Sequence, residues 1–344
     1  MAYTTIKKPS DYFNTKLYTG NGATGQSIIG VGFQPDLLWI KNRDVASHGH
    51  LMDIIRGSGT RLATSSTDAE ATENNITSFD SDGFTIGTTN NTNVNGSGNS
   101  LVSWNWLASN TTASNTDGSI SSTVSVNTTS GFSIVSYTGN GTAGATVGHG
   151  LGTAPSMIIQ KARDSVLNWK VYHKSLGATQ YMNFDETNAV ASNIVVWNNT
   201  EPTSSVYSLG SGNTNTSSVN YIAYCFAEKQ GFSKFGSYTG NGNADGTFVY
   251  TGFKPAFVLY KATNLVSNWL MYDSKRPGYN DTKKLVMPNL SNAEADSPSD
   301  AIDLLSNGFK FRGTGAASNG SGNNFIYMAF AEEPLVGDNP ATAR

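Results

Sequence analysis

The chain has 344 residues, 38% of them hydrophobic and 14% charged, with a formal net charge of −3. Apolar residues suffice for packed cores, while the near-neutral balance supplies no basic field for nucleic acid or an anionic membrane. Polarity comes instead from Ser, Thr, Asn and Gly, the composition of short strands joined by tight turns.

Residues 1–9 lack the apolar centre of a signal peptide, and no run approaches the length of a membrane span. A soluble protein made in a cytoplasm, without membrane insertion, is expected. The tract Tyr-Thr-Gly-Asn-Gly then opens three similar stretches, at residues 18–22, 137–141 and 238–242. A Pro follows each (Pro35, Pro155, Pro255), then an apolar run, then a Lys at Pro+6 (Lys41, Lys161, Lys261), and an Ala closes each stretch (Ala108, Ala227, Ala331). Such a period is too long for a solenoid and suits a small domain.

Strands are expected over 37–40, 83–86 and 101–106 in the first stretch. Those of the second are 133–137, 157–160, 169–172, 193–197 and 221–226, and those of the third 257–260, 269–272 and 325–330. Helical periodicity is weak throughout, with one short helix placed over 65–74, where Asp68 and Glu70 fall early. The expected fold is all-β: three tandem β-sandwich domains of jelly-roll or lectin-like type, at 1–108, 131–229 and 230–332. A Ser/Thr/Asn-rich linker or loosely held edge strand occupies 109–130, and 333–344 is a tail. The short spacer at 228–230 predicts tighter coupling of the second and third domains than of the first and second.

Motifs for chemistry are sparse. No nucleophile elbow joins a strand to a helix, and the acids Asp68, Glu70, Glu73, Asp185, Glu186, Glu294 and Asp296 are scattered, so no enzyme and no cofactor are expected. His48, His50 and Asp53 read as a polar loop rather than metal ligands, and Asp80-Ser81-Asp82-Gly83 as a β-turn. Cys225 lies in an apolar run and reads as a buried, inert thiol. Turn chemistry accounts for the repeated tract itself. The binding candidates are the polar residues just after the central strand: Asn42, Arg43 and Asp44, Arg163 and Asp164, and Thr263 and Asn264. These should emerge at one end of each sandwich, where loops carry function. Trp169 and Trp269, each 14 residues after its Pro, have faces suited to stacking on a sugar or to packing in a core.

Residues 1–22, the tract Gly-Phe-Gln-Pro-Asp-Leu-Leu-Trp-Ile-Lys-Asn-Arg-Asp at 32–44, Ser-Asp-Gly-Phe-Thr-Ile-Gly at 81–87 and Ala-Phe-Ala-Glu at 329–332 resemble a repeat family of marine bacteriophage virion proteins. Members are described as concanavalin-like or lectin-like sandwiches among tail and fibre genes. The resemblance implies a virion structural protein, a tail-fibre or peripheral adhesion protein with other virion proteins and a host surface glycan or receptor as partners. The alternative it leaves is a capsid-decorating or appendage protein that binds no receptor. Fibres often trimerise, so a homotrimer is one expectation, and a pseudo-threefold arrangement of the three stretches within one chain is the other.

Overall fold

The computed structural model describes residues 3–87 and 90–342. The fold is all-β, built from antiparallel sheets that pack as sandwiches. In each third of the chain an opening strand (Phe13–Thr19, Phe132–Thr138, Ser233–Thr239) pairs with the strand that closes that third (Ser100–Trp106, Asn220–Phe226, Asn324–Pro334). The closing strand pairs on its other side with the strand carrying the recurrent Lys, Leu37–Asn42, Met157–Ala162 or Phe253–Ala262. Next comes His50–Asp53, Lys170–His173 or Leu270–Asp273. Over each of these larger sheets lies a small one: Gln26–Ile29 with Gly83–Ile86, Thr146–Gly148 with Val206–Ser208, and Phe248–Tyr250 with Gly308–Phe311.

The Lys-bearing strands are buried along their whole length, which explains why they read as continuous apolar runs. Alternate side chains serve two cores. Leu38 and Ile40, Ile158, and Val258 and Tyr260 face the small sheet of their own unit. Leu37 and Trp39, Met157 and Ile159, and Phe257 and Leu259 face one central core shared by all three units. The three units are therefore not beads on a string, because each larger sheet uses its second face to cover the other two. At one end of this core the starts of the opening strands meet the ends of the closing strands. Phe13 stacks on Phe330 with ring centroids 5.1 Å apart, and Trp106, Phe226, Phe235 and Phe257 complete the cluster.

The repeated tract lies at the opposite end of the opening strands. In each copy the Tyr hydroxyl donates to a carbonyl of a facing loop (Tyr18 to Val94, Tyr137 to Thr214, Tyr238 to Ser318). The backbone N–H of the tract Asn donates to the side-chain oxygen of a buried Asn in the same loop, Asn95, Asn215 or Asn319. Gly240 is required because a Cβ there would sit 2.4 Å from the Gly320 carbonyl oxygen. The tract is thus a docked turn.

Local expectations differ from the fold in two places, and in a third, 109–130, the edge-strand reading holds over the linker. Residues 65–74 contain no helix; Ala71–Thr72 is a short strand and the rest an irregular loop that reaches the neighbouring unit. Residues 193–197, expected as a strand, form the one-turn helix Ile194–Trp197, because Asn193 accepts from Val195 N as N-cap and Asn198 adopts the left-handed conformation that ends it. Residues 109–130 supply the strands Ala113–Asn115 and Ser122–Asn127, which extend the second unit's larger sheet, with Val124 and Ile120 buried.

Candidate functional site at the seams between units

Of the predicted binding residues, Arg43, Arg163, Thr263, Trp169 and Trp269 bond across to a neighbouring unit. Between the first and second units, Arg163 grips Glu70 with two hydrogen bonds of 2.9 and 3.0 Å, and Glu70 N donates to Arg163 O. Between the third and first, Arg43 grips Glu294 in the same way at 3.0 Å, and Glu294 N donates to Arg43 O. Between the second and third the backbone bond recurs, Val190 N to Thr263 O, yet neither position carries charge. The recurrent lysines follow the same cycle. Lys41 donates to Ser291 O, Lys161 to Thr67 O and Lys261 to Thr187 O, each a carbonyl of the neighbouring unit. Burial lowers all three ammonium pKa values to about 8.

A deeper layer repeats the pattern. Asp53 accepts from Arg56 Nε at 2.5 Å and from the Tyr224 hydroxyl of the second unit at 2.8 Å. Asp273 accepts from Arg276 Nε at 2.6 Å and from Trp104 Nε1 of the first unit at 3.1 Å. Both Asp–Arg pairs are fully buried, and each Arg extends to the seam glutamate, Arg56 to Glu70 at 3.9 Å and Arg276 to Glu294 at 3.0 Å. In the second unit His173 and Leu176 stand at the corresponding offsets from Pro155, and His173 Nε2 pairs with Tyr327 O at 3.1 Å. Burial pushes the His173 pKa down to about 4, which keeps the ring neutral. Two seams are thus closed by an Arg–Glu–Arg chain, and the third is uncharged at every matching position.

That third seam is open. A cleft of about 320 Å³ lies there, lined by Ser175 and Leu176 of the second unit and by Ser237, Thr239, Thr263 and Asn324 of the third. In the second unit Arg163 Nη1 reaches Ser136 Oγ, the residue before the tract Tyr; Ser237 holds that place in the third unit, where Thr263 is too short to cover it. The cleft borders the serine position that Arg163 reaches in the second unit.

The other candidates have structural partners. Asn42 is buried, donating to Thr92 O and accepting from Asp44 N and Val45 N. Asp44 accepts from Ser100 N, Asp164 from Asn220 N, and Asn264 from Asn324 N. Trp169 and Trp269 are 0% and 1% exposed and donate to Ala63 O and Asn183 O of the neighbouring unit, so neither offers a face to a sugar. The polar-loop reading of His50 and Asp53 is corrected, since both are buried in the strand His50–Asp53, with Asp53 committed to Arg56 and Tyr224 and His50 beside Asn75; the described residues hold no cluster of three metal-ligating side chains. Sequence reasoning recorded the recurrent Lys and weighed Asp53 only beside His48 and His50, missing its pairing with Arg56 and that of Asp273 with Arg276. Their signal is an Asp-x-x-Arg at Pro+18 in the first and third units that is broken in the second.

Fold and seams together define an all-β body of sandwich units closed around one core. Residues 8–334 match a family described as a domain of unknown function, DUF7483, and the chain belongs to that family. The match spans all three units, so the family's unit is the whole body. No curated protein and no solved structure matches the chain.

Proposed function

We propose that this protein is a structural component of a tailed-phage virion that contacts the host surface, a tail-fibre or peripheral adhesion protein and not an enzyme. One observation carries the reading. The body has two unlike ends, with the residues near both chain termini at one and the three docked turns at the other. Asp338 N donates to Lys7 O beside the aromatic cluster, while the turns lie roughly 20 Å away along the seven-residue opening strands. A body attached through its termini holds the turn end and the open seam outward. The resemblance of the repeated tracts to marine phage virion proteins supplies the setting.

A second reading, capsid decoration without a receptor, is favoured by the three units around one core, which suit a local threefold position in a lattice. Cryo-electron microscopy of the intact virion separates the two. Copies at distal fibres with turns facing outward are expected, and copies confined to capsid threefold positions would replace adhesion by decoration. Absence from the particle would overturn both.

A further inference from the structure

We infer that the open seam between the second and third units is a binding site for an uncharged saccharide. This deepens the adhesion reading, which supplies the source of the sugar, but the site itself stands on geometry. The first observation is the coordinated loss of charge. Where the other seams carry Arg56 or Arg276, Glu70 or Glu294, and Arg163 or Arg43, this one carries Leu176, Val190 and Thr263. Removing one partner of such a pair leaves a buried or half-buried charge stranded; removing all of them leaves a neutral space. The neutral space borders a cleft of about 320 Å³, at the lower end of the roughly 300–1,000 Å³ typical of ligand pockets; a cleft of about 360 Å³ at the charged seam of the third and first units is lined by Lys16 and Lys275 instead.

The second observation is what lines it. Ser175 Oγ, Ser237 Oγ and the Asn324 side-chain nitrogen make no hydrogen bond among the described residues, although each borders the cleft. Thr239 and Thr263, by contrast, are held by Asn324, at 3.0 Å to its side-chain oxygen and 3.1 Å to its carbonyl. That fixes the wall. Two unspent hydroxyls and one amide donor beside the apolar Leu176 present the alternation of polar and apolar contacts that a sugar ring requires. No charged side chain lines the cleft to recognise a carboxylate, phosphate or ammonium group. The cleft also opens beside the tract Tyr238, at the outward end of the body.

The molecule provides its own blocking variant. Thr263→Arg with Val190→Glu restores the pair found at the other two seams and fills the cleft without a foreign structure. Saturation-transfer NMR on the full chain would use the methyl glycosides of glucose, galactose and mannose, N-acetylglucosamine, and glucuronate as the charged control. At least one neutral sugar should bind with Kd on the order of a millimolar, as befits one small cleft with few polar contacts. Ser237→Ala should weaken it about fivefold, the loss of one neutral hydrogen bond, and the paired variant should weaken it at least tenfold with an unchanged or raised urea midpoint. Failure of every neutral sugar to bind at tens of millimolar, unchanged binding in the paired variant, or preference for glucuronate would each overturn the assignment. Sugar binding by a protein absent from the particle would uphold this site and defeat the virion reading. The reverse pair of results would do the opposite.

Discussion

Replacing Arg56 by Leu, the residue that the second unit carries at the matching position, strands the carboxylate of Asp53 in a place with no access to solvent. In the native protein that carboxylate accepts from Ile55 N, Arg56 N, Arg56 Nε and the Tyr224 hydroxyl. The guanidinium also donates to Leu51 O at 2.8 Å and contacts Glu70. Loss of one member of a fully buried pair costs about 3–5 kcal/mol. Adding Asp53→His should recover a large part of this loss. A neutral histidine there can accept from the amide two residues on, as His173 Nδ1 accepts from Ser175 N. Urea unfolding followed by tryptophan fluorescence measures both variants. The single change should lower stability by several kcal/mol and the double by less than half as much. A single-variant loss below about 1 kcal/mol, or a double variant no better than the single, would refute the view that these seams are alternative self-consistent sets.

Three further outcomes are expected. Gly240→Ala should cost about 2–3 kcal/mol through overpacking, whereas Gly59→Ala, where a Cβ meets nothing closer than 3.8 Å and the backbone is not left-handed, should cost less; thermal melts compare them. Stability should rise with pH from about 8 towards the unfolded lysine value near 10.4. In that window the unfolded chain holds protons that folded Lys41, Lys161 and Lys261 have released. The rise should end as the unfolded chain ionises tyrosines that burial keeps protonated in the fold, among them Tyr137, Tyr238 and Tyr260. Lys261→Met should reduce the slope by about one proton, and a flat profile in the native protein would mean that carbonyl bonds to the ammonium groups outweigh their burial. Cys225 is fully buried with its thiol pKa raised, so a thiol reagent should modify none of it in the folded protein and one equivalent in urea.

The class of fold was legible because its signals are local. Apolar runs after Pro35, Pro155 and Pro255 and the Gly- and Asn-rich turns depend on neighbours within a few residues. Cys225 was read as buried for the same reason, and its relative exposure is 0%. What escaped was the second face of each larger sheet. Leu37 and Trp39 alternate with Leu38 and Ile40 exactly as apolar residues do in any strand buried on both sides, and nothing in the chain names the partner on either face. Trp169 and Trp269 illustrate the cost: a large aromatic beside a polar loop suits a sugar platform until the neighbouring unit closes over it. The scattered acids were misplaced likewise, since Glu70 and Glu294 are half of a pairing whose arginines lie in another unit. The helix over 194–197 was missed because Ile-Val-Val-Trp favours a strand, and two flanking asparagines decide otherwise.

Each unit begins and ends on adjacent antiparallel strands, and Phe13, Phe132 and Ser233 face Trp106, Phe226 and Phe330 at the same end of the body. The chain ends and the short 228–230 connection therefore gather at that end, while the 109–130 connection runs along the sheet to Tyr137 and back. A force applied through the termini enters there, as a tug between first and last strands that already touch through Phe13 and Phe330, and the turn end bears little of it. A molecule wired in this way keeps its turn end still while its termini are pulled.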